Sequence, residues 1–149
     1  MATIKTIQGA KTNITVSNLS TLGSATYCVS NAYSLQTNNP NDLVVELSAA
    51  TTNSPSGNKQ VVVFAQASWD NSVWQSGPTS GTTTTDEADL TIMGVLPLAS
   101  SSTTEVKSFS VLQSFGFMPA YVRFVFKNDL GVALTSATAA TAEISTTIV

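Results

Sequence analysis

Apolar and polar positions alternate through residues 42–49, DLVVELSA, where Leu43, Val45 and Leu47 fall on one side and Val44, Glu46 and Ser48 on the other. A period of two is the pattern of a strand with one buried face. Similar short runs of β-branched and aromatic residues predict strands near 2–8, 13–17, 24–35, 42–49, 59–69, 89–96, 104–113, 120–127 and 132–148, the last interrupted. Helical periodicity is almost absent. Between the runs lie turn clusters, QTNNPND at 36–42 and TTNSPSGNK at 51–59, and one long Ser/Gly/Thr-rich stretch at 71–89. NDLG at 128–131 predicts a tight connection in which Gly131 can take a positive φ. The pattern predicts an all-β chain, with residues 1–149 as a single domain and 1–18 as an extended N-terminal arm.

Two runs depart from one-sided alternation. In KQVVVFAQASW, Val61, Val63, Ala65 and Ala67 share a face while Val62 and Phe64 occupy the other. In AYVRFVF, Val122, Phe124 and Phe126 oppose Tyr121, Arg123 and Val125. Both faces of these strands need cover, from a loop of the same chain or from a second subunit. Only 10% of the residues are charged, against roughly 25% in an average soluble protein. Charge repulsion therefore does little to keep copies apart. That balance favours the second cover, with Val62, Phe64, Tyr121, Arg123 and Val125 as the expected subunit interface.

Charge and composition narrow the function classes. The net charge is −3 and the six basic residues are scattered, so no run could displace counterions from phosphates; nucleic acid is not expected as a partner. No apolar run approaches the roughly 20 residues of a membrane helix, and the N-terminal stretch MATIKTIQGAKTNITV lacks a signal-peptide core. Membrane is therefore not an expected partner either, and synthesis in a cytoplasm is expected.

Catalytic candidates are few. The chain has no histidine, which removes His-based triads, the usual proton shuttle and most transition-metal sites. Its one cysteine, Cys28, sits in the alternating run ATYCVSNAY and is expected to pack rather than react. Asp86, Glu87 and Asp89 in TDEADL match no cation-loop spacing and suggest a solvated acidic turn. Trp69 and Trp74 flank Asp70 and could together present an aromatic platform to a sugar ring, or simply anchor a strand end and the next loop. No enzyme activity, cofactor or metal is expected.

The segment GFMPAYVRFVFKNDLGVALTSATAATAEI (116–144) resembles small β-sandwich structural proteins of tailed-bacteriophage virions, most closely capsid decoration, or cement, proteins. Pro119, Tyr121, Arg123, Asn128 and Gly131 carry the resemblance: a Pro before an aromatic, a YVRF-like strand, an Asn-x-x-Gly turn and a small-residue final strand. It implies an antiparallel β-sandwich, jelly-roll or immunoglobulin-like, acting as a homo-oligomer, trimer or dimer. The implied partner is the major capsid protein, and the implied place is the capsid surface of a virion assembled in the host cytoplasm. The arm residues Ile4, Lys5, Ile7 and Lys11 are then the candidates for docking to the shell. A minor tail or neck subunit, or a receptor-binding, carbohydrate-binding virion module using Trp69 and Trp74, is the alternative.

Overall fold

The computed structural model describes residues 2–79, 82, 83, 87 and 89–149. In chain order the elements are β1 (Ile4–Gln8), β2 (Thr12–Asn13), a 3₁₀ turn (Leu19–Thr21), β3 (Tyr27–Val29), β4 (Tyr33–Ser34), β5 (Asp42–Ala50) and β6 (Gln60–Ser68). They continue with β7 (Thr82–Thr83), β8 (Thr91–Pro97), β9 (Glu105–Ser110), α1 (Val111–Phe115), β10 (Tyr121–Asn128) and β11 (Ser136–Ile148). One antiparallel sheet has the order β1-β11-β5-β9, with β2 also on β11; the other runs β7-β3-β10-β6-β8, with β4 also on β10. The two sheets pack face to face as an antiparallel β-sandwich. No helix among the described residues is long and apolar enough to cross a membrane.

The alternation in β5 sets the first sheet's orientation. Leu43, Val45, Leu47 and Ala49 point inward and are buried, while the residues between them are half-buried on the outer side. Burying each of the larger three contributes about 1.5–3 kcal/mol. β11 places Ala137 and Ala139 opposite Ala49 and Leu47. The inner face is thereby kept thin enough for Phe124 and Phe126 of β10 to fill the space from the second sheet.

The second sheet is covered on both faces, and the outer cover belongs to this chain. Val62, Phe64 and Val125 form a second apolar cluster with Tyr27, Val29 and Leu90. The segment from Trp74 to Thr79 lies over the same face: Gln66 Nε2 donates to Gln75 O at 2.9 Å, and Gln75 Oε1 accepts from Ala67 N at 3.0 Å. Gly77 (φ 146°) lies so close that a Cβ there would come within 2.6 Å of Gln66 and 2.7 Å of Leu90. Val62, Phe64, Arg123 and Val125 are buried and Tyr121 is half-buried. The expected subunit interface is thus corrected at these positions, where intramolecular cover leaves little surface for a second copy.

The N-terminal segment is extended but not a free arm. β1 and β2 both pair with β11; Gly9 N to Glu143 O (2.8 Å) extends the pairing past the end of β1, and Ile14 N to Ala139 O (3.0 Å) extends it past the end of β2. Lys11 forms an ion pair with Glu46 at 2.7 Å. The predicted strand over 104–113 stops at Ser110, where the chain turns into α1. The connection after β10 runs from 129 to 135, longer than a tight turn, and Gly131 adopts φ 79° as expected.

Candidate docking end

Register brings several connections to one end of the sandwich. Tyr121 at the start of β10 pairs with both Ser68 at the end of β6 and Ser34 at the end of β4. In the first sheet, β5 begins at Asp42, next to the pairing of Val44 with Ser110 at the end of β9. The segments 35–41, 69–74 and 111–120 therefore leave from the same end. β11 also runs past this end: Ile144 pairs with Asp42, but from Ser145 to Ile148 its partner is β1.

Asp42 fixes the local geometry. Its Oδ2 accepts from Ser110 Oγ at 2.6 Å, and its Oδ1 accepts from the backbone N–H groups of Leu43 (2.8 Å) and Leu112 (2.9 Å). Ser110 caps α1 by accepting from Gln113 N, and Gly116 closes the helix at φ 74°. That stop delivers Phe117 to the surface. Its ring stacks on Trp69 with centroids 5.6 Å apart and planes 15° apart, and Phe115 packs at a tilt against Phe117. Trp69 stays 65% exposed and Phe117 43%.

The next turn is held by Asp70. Its Oδ1 accepts from the N–H groups of Ser72 and Val73, both at 2.9 Å, and from Ser68 Oγ at 3.2 Å. The Val73 and Ser72 amides, joined by the Ser72 and Ser68 hydroxyls, hold its carboxyl well below the usual carboxylate range. Beside Trp69 opens a cleft of about 380 Å³, lined by Gln36, Asn39, Pro40, Trp69, Met118 and Pro119 among others. None of its lining side chains is charged. Tyr121 Oη donates to Gln36 Oε1 at 2.9 Å and fixes that amide at the rim.

The two tryptophans, read from sequence either as a joint platform or as anchors of a strand end and the next loop, lie in separate places. Trp74 lies under the Arg123 guanidinium, 4.4 Å from ring centroid to Cζ, and belongs to the cover of the second sheet. Arg123 Nε donates to Gln66 Oε1 at 2.7 Å, and burial lowers its pKa. Trp69 pairs instead with Phe117, which the sequence reading did not single out. The available signal was a Phe between the breaker Gly116 and Pro119, outside any run that could bury it.

Ile4, Lys5 and Ile7 are exposed on β1, while Lys11 is exposed but paired, farther along the edge. Eight of the ten large apolar side chains exposed among the described residues belong to this end: Ile4, Ile7, Ile148 and Val149 on the ribbon, and Trp69, Val73, Leu112 and Phe117 on the connections. Exposed apolar side chains gathered at one end in this way mark a candidate interaction surface.

Titratable chemistry lies elsewhere and is subdued. Cys28 is fully buried, and desolvation pushes its thiol up to about 12. Burial, then the hydrogen bond to Glu143, raises Tyr33 to about 12. In the acidic turn, Glu87 accepts from Tyr27 Oη and Lys127 Nζ, Asp89 is exposed, and Asp86 lies outside the described residues. Among the described residues, no three His, Cys, Asp or Glu side chains gather as a metal would require. No protein-family model matches the chain, and no curated protein does either.

Proposed function

We propose that the protein is a structural docking subunit of a tailed-phage virion, a capsid decoration protein that binds the assembled shell and stabilises it. The observation that carries this reading is the concentration of exposed apolar side chains on one end of an otherwise hydroxyl- and amide-rich sandwich. The resemblance around Pro119, Tyr121, Arg123, Asn128 and Gly131 supplies the class of partner, the major capsid protein. Ile4, Ile7 and Ile148 are the residues assigned to the contact. A subunit that binds the assembled shell but not free capsomers stabilises the shell by linkage, about 2.7 kcal/mol per site at a hundredfold excess over Kd. The test is co-sedimentation with purified particles and the heat resistance of those particles. Saturable binding that raises the temperature of genome release supports the reading, and failure to bind particles sinks it.

A second reading rests on the Trp69–Phe117 pair and the uncharged, amide-rimmed cleft beside it. An exposed indole suits the apolar face of a pyranose, and Gln36 and Asn39 offer both donors and acceptors to hydroxyls. In this reading the module recognises a neutral glycan on a cell surface. Titration with neutral oligosaccharides, comparing Trp69→Ala with the wild type, decides it. Binding lost in Trp69→Ala supports a glycan role, and no binding by the wild type removes it.

A further inference from the structure

We infer that β1 is a strand-pairing edge that joins a second copy of this chain, antiparallel, about a two-fold axis at Thr6. Thr3 and Val149 exchange both backbone hydrogen bonds at 2.9 Å, so the odd-numbered residues of this segment face β11. The N–H and C=O groups of Ile4, Thr6 and Gln8 consequently point away from β11, along a sheet edge that no other strand among the described residues pairs. An edge of this kind is a template for another strand unless something blunts it.

Two other edges in the sandwich are blunted. β9 carries Glu105 and Lys107, and β8 has an irregular register opposite Val63 and Phe64 and ends in Pro97. β1 has neither a proline nor a bulge, and Lys5 is its one charged residue. Beyond Ile144 it forms with β11 a two-stranded ribbon, and two strands without a third are marginal in water. Ile4 and Ile148 lie directly opposite each other on that ribbon, 72% and 71% exposed. A third and fourth strand from a second copy relieve both conditions.

The chain's own chemistry selects a second copy as the occupant. With Thr6 opposite the second copy's Thr6, Ile4 meets its Gln8 and Lys5 meets its Ile7, so all of β1 is used and no like charges oppose each other. Lys5 is the one charged side chain in 2–9 and 144–149, so a homotypic pair brings little repulsion. An axis at Lys5 would instead set two lysines face to face. The sheet then continues from β11 and β1 of one copy into β1 and β11 of the next. The pairing uses the backbone edge of β1, whereas the shell contact proposed above uses the side chains of Ile4, Ile7 and Ile148 on the same ribbon.

Sedimentation of the full chain tests the inference, with three variants. The wild type is expected to dimerise at micromolar concentration. Thr6→Pro removes an outward N–H without removing a bond to β11, and is expected to weaken association by about thirtyfold or more. Its circular dichroism should remain that of the wild type. Thr6→Lys and Thr6→Glu should each be monomeric alone and associate when mixed. A wild-type monomer, a dimer indifferent to Thr6→Pro, or failure of the mixed pair to associate would each overturn the inference. So would a monomeric wild type that binds particles through an edge sensitive to Thr6→Pro, since its strand partner would then be a shell protein.

Discussion

Asn128 is fully buried and uses its whole side chain: Nδ2 donates to Leu22 O and Val132 O, and Oδ1 accepts from Leu130 N. The amide ties the turn after β10 to the start of the second sheet. Asn128→Ala leaves a buried N–H unpaired and takes a donor from each carbonyl, so it should cost about 2–4 kcal/mol in urea denaturation. Cys28 gives a pH signature. Its thiol titrates at an ordinary 9.0 once unfolded but at about 12 when folded, so the folded state holds the proton across that window. The stabilising effect is complete below pH 9 and declines at about 1.4 kcal/mol per pH unit as pH rises toward the folded value. Tyr33 acts in the same direction from an ordinary 10.0. Denaturation midpoints of Cys28→Ala should therefore fall less steeply than those of the wild type between pH 9 and 10.

At the scale of elements, β6 and β10 announced in sequence that both their faces were covered, and they are. Alternation reports that a side chain is buried but not by what. The cover comes from Trp74, Gln75, Gly77, Thr79 and Leu90, within or beside the Ser/Gly/Thr-rich stretch at 71–89, whose composition carries no apolar period. It holds by hydrogen bonds of the Gln66 and Gln75 amides, a close glycine and the Arg123–Trp74 contact, none of which hydrophobic periodicity registers. Arg123→Ala should free Trp74, red-shift tryptophan emission and cost about 2–3 kcal/mol. Arg123→Lys should restore little of this, since an ammonium lacks the planar fork that meets both Gln66 and the ring. The helix α1 was missed for a related reason. Five residues, VLQSF, cannot show a helical period, and the informative signals were Ser110 and Gly116 at its two ends.

Over the whole molecule, the strand order needed the fold and the sandwich is what the resemblance implied, but the all-β class follows from pattern, because the burial of strand faces is expressed in sequence. The docking end does not. Ile4, Trp69, Phe117 and Ile148 come from four separate regions of the chain, and the register of β1 on β11 and of β10 on β6 and β4 brings their segments to one end. Ile4 and Ile7 were singled out as docking residues from the resemblance; Phe117 and the ribbon needed the fold. The central claim is that this end attaches the molecule to an assembled shell. The most direct measurement is a binding isotherm on purified particles, comparing the wild type with an Ile4→Ser/Ile148→Ser double variant whose melting temperature is checked separately. Both side chains are more than 70% exposed, so their replacement should leave folding nearly unchanged while particle affinity falls at least tenfold, about 1.4 kcal/mol. A double variant that binds particles as tightly as the wild type would contradict the account.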